Sequence, residues 1–195
     1  MRIFGIDPGS ERTGYGCVET DGRRHRLVAC GAIVATADDT FPHRLARIHR
    51  ELTIQLSTCR PDCVAIENLF HAKNARSALK LGHARGVAML AAFEAGCDIV
   101  EYTPAEVKRA VVGYGRAEKQ QVQQMIMLLL GLEKAPKPFD VSDALAVAIC
   151  HLHSTPQALR DLRVTTHGPN HKSPITSHKS KAPRSWRQYR PPSAG

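Results

Sequence analysis

The chain has 195 residues, 43% of them hydrophobic and 23% charged, which suits a folded domain with a real core and argues against a fibrous or low-complexity chain. Its net charge of +9 calls for an acidic partner, either nucleic acid or an anionic surface. No apolar run approaches the ~20 residues of a membrane helix, and Asp7 comes too early for a signal peptide. No membrane association is expected, the location is expected to be the cytoplasm, and the six cysteines are expected as thiols. Cys59, Cys63 and His71 are the nearest thing to a zinc motif, but Pro61 interrupts them and no CxxC pair occurs.

Residues 2–6 read as a short buried strand. A Pro-Gly-Ser turn leads to a second strand at 13–19, and the polar turn Asp21-Gly22-Arg23 to a third at 27–36. Such short connections predict an antiparallel meander. Gly5, Gly9, Gly14 and Gly16 read as turn and hairpin residues rather than as a phosphate cradle. A helix follows, with Leu45, Ile48, Leu52 and Leu56 on one face. Cys63-Val-Ala-Ile66 is a fourth, interior strand. Residues 75–95 are helical, with Ala78, Gly82 and Gly86 allowing close approach by a neighbouring element, and 98–102 form a fifth strand.

Thr103-Pro-Ala-Glu106 has the form of a capping box with proline at the first helical position. After a loop at 113–115, Val122, Met125, Ile126, Leu129 and Leu130 make the apolar stripe of another helix that ends at Gly131. The last amphipathic helix, 140–153, turns Val141, Leu145, Ala148, Ile149 and Leu152 inward. The order β-β-β-α-β-α-β-α predicts an α/β domain over 1–155, with a mixed sheet and helices on both faces. Residues 154–195 hold eight Lys or Arg against one acid, Asp161, so most of the excess charge lies there. Ser, Thr, Pro, Lys and His dominate that stretch, and 156–195 is expected as a basic tail that forms no core.

Four acids stand where packing does not ask for them. Asp7 and Glu67 each end an apolar strand. Asp140 and Asp143, at i and i+3, share one helix face. Each has an ordinary reading: a turn residue, a solvated strand end, an N-cap and a first-turn acid. Together they form a set of hard oxygen donors without histidine, suited to Mg²⁺ or Mn²⁺ rather than zinc. Two such ions fit an in-line phosphoryl displacement. Lys108 and Lys119 lie near the same sheet end, where either would steady a phosphate or remain a solvated helix-face lysine.

Gly5-Ile-Asp-Pro-Gly-Ser10, Thr13-Gly-Tyr-Gly16 and Ala65-Ile-Glu67 resemble the RuvC family of crossover-junction endodeoxyribonucleases. The resemblance continues in order through Ala72-Lys-Asn-Ala75, Ser77-Ala-Leu-Lys-Leu-Gly82, Ala84-Arg-Gly-Val87, Val107-Lys-Arg-Ala-Val-Val-Gly113, Ala117-Glu-Lys119 and Asp140-Val-Ser-Asp-Ala-Leu-Ala146. It spans roughly residues 2–153 and implies an RNase H-like fold with a five-stranded sheet. It further implies a homodimer, Mg²⁺-dependent paired nicking of four-way (Holliday) junction DNA, and RuvA and RuvB as branch-migration partners. Carried over by position, it makes Asp7, Glu67, Asp140 and Asp143 the catalytic metal ligands and assigns Lys108 and Lys119 to phosphate or transition-state contacts in catalysis. It gives Phe70 to base stacking, although by chemistry alone a Phe three residues past a strand end is more often core. Lys73 and Arg76, in the polar stretch around Phe70, are expected to face DNA. The resemblance leaves the tail unexplained.

Overall fold

The computed structural model describes residues 1–36, 39–68 and 74–154. In chain order its elements are β1 (Arg2–Asp7), β2 (Arg12–Thr20), β3 (His25–Val34), α1 (Phe41–Cys59), β4 (Cys63–Glu67), α2 (Ala75–Glu94), β5 (Asp98–Tyr102), α3 (Pro104–Val112), α4 (Lys119–Leu130) and α5 (Phe139–Ser154). The five strands form one sheet of order β3-β2-β1-β4-β5. β1, β2 and β3 are the expected antiparallel meander. β4 joins β1 in parallel, and β5 joins β4 in parallel, so the sheet is mixed.

Alternation along the two inner strands decides what covers each face. Ile3 of β1 with Cys63 and Ala65 of β4 point into a core capped by α3, α4 and α5. Phe4 and Ile6, with Val64 and Ile66, point the opposite way, onto α1 and α2. Helices therefore cover both faces, as expected. Of the residues marked by helical spacing, Ile48, Leu52 and Leu56 of α1 and Val122, Ile126 and Leu130 of α4 are buried, and Leu45, Met125 and Leu129 are half-buried. All six cysteines are free thiols. Among the described residues no helix is long and apolar enough to cross a membrane.

Two expectations need correction. The last helix is not simply amphipathic: α5 buries an unbroken run from Val141 through Ala148 to Leu152, apart from the half-buried Asp143. One side lies on β1 and β2, and α3 and α4 close over the other. Gly5, Gly14 and Gly16, in turn, are hairpin residues as expected, but they stand in its strands rather than in its turn. They lie inside β1 and β2, with Gly5 opposite Gly16 and Gly14 opposite Asp7. A Cβ on Gly5 would stand 2.0 Å from the carbonyl oxygen of Ala144, and one on Gly14 would stand 1.9 Å from that of Asp140. Bare backbone at these positions lets α5 rest directly on the sheet.

α2 carries small residues on two faces. Ala84, Ala88, Ala91 and Ala92 face the sheet. A Cβ on Gly82 or Gly86 would meet nothing within 4 Å. The Ala78–Gly82–Gly86 side is an open groove that Leu45, Leu79 and Leu90 also line.

Candidate active site

The parallel register of β1 and β4, with Ile6 opposite Ile66, puts Asp7 and Glu67 side by side where both strands end. α5 starts over the same end of the sheet, because Gly14 seats its first turn. The i, i+3 spacing then turns Asp140 and Asp143 toward the strand-end pair. α3 begins at a capping box: Thr103 accepts from the Glu106 backbone N–H, and Glu106 accepts from the Thr103 N–H in return. Lys108 follows one turn later. A reciprocal box between Glu118 and Gln121 starts α4 with Lys119 as its first residue. The result is a cavity of about 360 Å³ lined by Asp7, Gly9, Arg12, Glu67, Lys108, Lys119, Asp140 and Asp143, among others.

All four acids and both lysines singled out from the sequence thus share one cavity. Arg76 is exposed in the first turn of α2 and is not among the lining residues. Phe70 and Lys73 fall outside the described residues, as does the tail. Arg12 is the lining cation that sequence reasoning missed. Its Nη1 donates to Asp140 Oδ2 at 3.2 Å. Lys119 Nζ makes the equivalent contact with Asp143 Oδ2 at 2.7 Å.

The acids sit in unequal fields. Burial pushes the Asp7 carboxyl well above its ordinary range, and the negative charges of Glu67, Asp143 and Asp140 add to the effect. Burial and Asp143 also raise Glu67, while the hydrogen bond with Asp7 and the charges of Lys119 and Lys108 pull the other way. The two adjacent carboxyls titrate as a pair, and burial with the neighbouring acids raises Asp7 the more strongly. Burial works against the Lys119 ammonium. The hydrogen bond and charge of Asp143, aided by Asp7 and Glu67, outweigh that burial and raise its pKa.

Among the described residues no three His, Cys, Asp or Glu side chains are already drawn together as a coordination cage. Asp140 is turned to Arg12 and Asp143 to Lys119 instead. The donor chemistry nonetheless fits a hard divalent cation: four carboxylates border one cavity, and burial and the neighbouring acids disfavour the charged form of Asp7. A cation there would offset that repulsion.

The family model for crossover junction endodeoxyribonuclease RuvC matches residues 3–151. The chain belongs to the RuvC family. Crossover junction endodeoxyribonuclease RuvC of Koribacter versatilis (strain Ellin345) is 54% identical over 156 residues, which are 80% of this chain and 94% of the relative. Thermus thermophilus RuvC aligns with a TM-score of 0.73 at 36% identity, over 78% of this chain and 94% of that one. The same RuvC in complex with Holliday junction substrate aligns with a TM-score of 0.74 at 38% identity, over 77% and 92%. The RuvC fold, RNase H-like with a mixed five-stranded sheet, is thus the fold of this chain.

Proposed function

We propose that this protein is a Mg²⁺-dependent endodeoxyribonuclease that resolves four-way DNA junctions by paired nicks. One observation carries the reading: Asp7, Glu67, Asp140 and Asp143 border one cavity in a chain of the RuvC family. The substrate class comes from the Thermus thermophilus relative, seen with a Holliday junction.

Divalent cations held in the cavity would supply a more acidic water and would neutralise charge on the leaving oxygen of the phosphodiester. Asp7, Glu67, Asp140 and Asp143 would hold them, and oxygen donors serve Mg²⁺ and Mn²⁺ alike. The rest falls to the protein. β1 and β4 fix Asp7 and Glu67 rigidly at the strand ends. α5 brings the other two acids on one helical turn. Lys108 and Lys119 flank the cavity from α3 and α4, placed to stabilise the charge that grows on the phosphate. Phe70, Lys73 and Arg76 belong to the same reading as DNA contacts around the opened junction, with Phe70 stacking on a base.

One chain carries one such cavity, whereas paired cuts on strands of like polarity require two copies about a dyad. The open groove of α2 beside Ala78, Gly82 and Gly86 is the surface we assign to the partner copy, with Leu79 and Leu90 exposed on it. RuvA and RuvB, the branch-migration proteins, complete the set of partners.

Replacing each acid in turn by its amide tests the reading. Asp7→Asn, Glu67→Gln, Asp140→Asn and Asp143→Asn are each expected to lose nearly all cleavage in Mg²⁺ while junction binding survives. Full activity in Asp7→Asn would end it.

A further inference from the structure

We infer that Arg12 is an exchangeable counterion for Asp140: it holds this aspartate while the cavity lacks a divalent cation, competes with the cation for it, and then offers its guanidinium to a phosphate of the bound strand. The inference rests on the reading of the cavity as a metal-dependent nuclease site.

The placement follows from the sheet. Arg12 is the first residue of β2 and shares a strand face with Gly14 and Gly16. α5 lies on that face, with the Asp140 backbone over Gly14 and Leu145 over Gly16. A long side chain at position 12 therefore emerges beside the first turn of α5. Its partner there is Asp140, 128 residues away in sequence.

The strength of the contact suits exchange. A single Nη1 donates to a single carboxylate oxygen at 3.2 Å, and the two side chains are 46% and 31% exposed. Such pairs are weak, because water and salt screen them. A buried bidentate pair would instead keep a cation out. Asp143 is held the same way by Lys119, so both acids of α5 are occupied by protein cations. A divalent cation that recruits Asp140 must displace Arg12. The freed guanidinium stays on the rim beside Pro8 and Gly9, which line the same cavity, and its planar fork matches a phosphate.

Mn²⁺ binding to the full chain, followed by electron paramagnetic resonance without DNA, separates this role from simple support of the fold. Asp7→Asn serves as the blank for ions bound outside the cavity. Arg12→Gln is expected to bind Mn²⁺ about two- to fivefold more tightly than the native protein, the size of an exposed ion pair. Arg12→Lys, which keeps the charge, is expected to stay near the native value. In cleavage assays at saturating metal, Arg12→Gln is expected to raise KM for the junction several-fold with a smaller effect on kcat. Melting in EDTA shows whether each variant is folded, and Arg12→Lys carries the test if Arg12→Gln is not: it overturns the inference if its Mn²⁺ affinity departs from native by more than that two- to fivefold range. Equal or weaker Mn²⁺ binding by folded Arg12→Gln would overturn the inference and leave the nuclease reading standing. Absence of Asp7-dependent Mn²⁺ binding in the native protein would remove both.

Discussion

Gly14 of β2 lies directly beneath Asp140 of α5: a methyl group on Gly14 would fall 1.9 Å from the Asp140 carbonyl oxygen and 3.1 Å from its Cβ. The glycine lets α5 settle on the sheet at the height that puts Asp140 beside Asp7 and Glu67. The obstacle to a larger residue is backbone, which cannot rotate away.

Gly14→Ala is therefore expected to lift the start of α5. Overpacking of this kind costs about 1–3 kcal/mol of stability. Cleavage is expected to fall much further than the stability loss explains, because one helical turn carries two of the four acids. Chemical denaturation and single-turnover cleavage on the same preparation check this. A stable variant with native cleavage would show that the seat does not matter.

Asp7 makes the opposite trade. Its carboxyl is buried near three other acids, and burial with their charges outweighs any cation the protein sets beside it. Asp7→Asn removes that repulsion, so in EDTA the variant is expected to melt higher than the native protein. About 1 kcal/mol would appear as roughly 2–4 °C in a chain of this size. Added Mg²⁺ is expected to raise the native melting temperature and to close the gap, because only the native site gains a ligand. A lower melting point for Asp7→Asn in EDTA would contradict this account of the cavity.

Much of this arrangement was legible in the residues. Apolar runs ending in Asp7 and Glu67 marked two strand ends, and i, i+3 spacing put Asp140 and Asp143 on one face. The capping box at Thr103 located the start of α3. The illegible features depend on which elements meet. Arg12 acquires meaning only when α5 lands on β2, a contact that no local pattern encodes. Gly5, Gly14 and Gly16 read as turn and hairpin glycines, but the reason that the strands need them bare is a helix more than a hundred residues further on. α5 looked amphipathic because the cover that α3 and α4 place on its outer side is tertiary. The sequence did not separate the two small-residue faces of α2: the alanines pack into the core, while the glycines line an open groove.

Lys119 is anchored by Asp143 at 2.7 Å and still 61% exposed, so it is held in position yet open to a ligand. Lys119→Met is expected to reduce kcat by about 10²-fold, the low end for losing a preorganised charge. KM for the junction is expected to move less. Lys119→Arg is expected to recover part of the loss. Rapid-quench cleavage under single-turnover conditions reads this directly, and an unchanged rate in Lys119→Met would remove the lysine from the chemistry.

Residues 154–195 carry eight bases and one acid, most of the net charge of the chain. We propose that this segment follows phosphates away from the junction centre. Each neutralised phosphate steepens the slope of log K against log salt by about 0.9, so four contacts would add roughly 3.6. A protein ending at Thr155 is expected to bind junctions more weakly and with a shallower salt slope, but to cut at the same sequences when saturating. Identical slopes for the two proteins would show that the segment does not touch DNA.

The most direct measurement offers the protein three labelled substrates in Mg²⁺: a four-way junction, a duplex of matching sequence, and an RNA–DNA hybrid. Four carboxylates in a RuvC-family chain are expected to yield symmetric nicks on two strands of like polarity in the junction, with the duplex and the hybrid left intact and no cleavage in EDTA. Cleavage of the hybrid with the junction untouched, or junction nicks that persist in EDTA, would contradict the assignment.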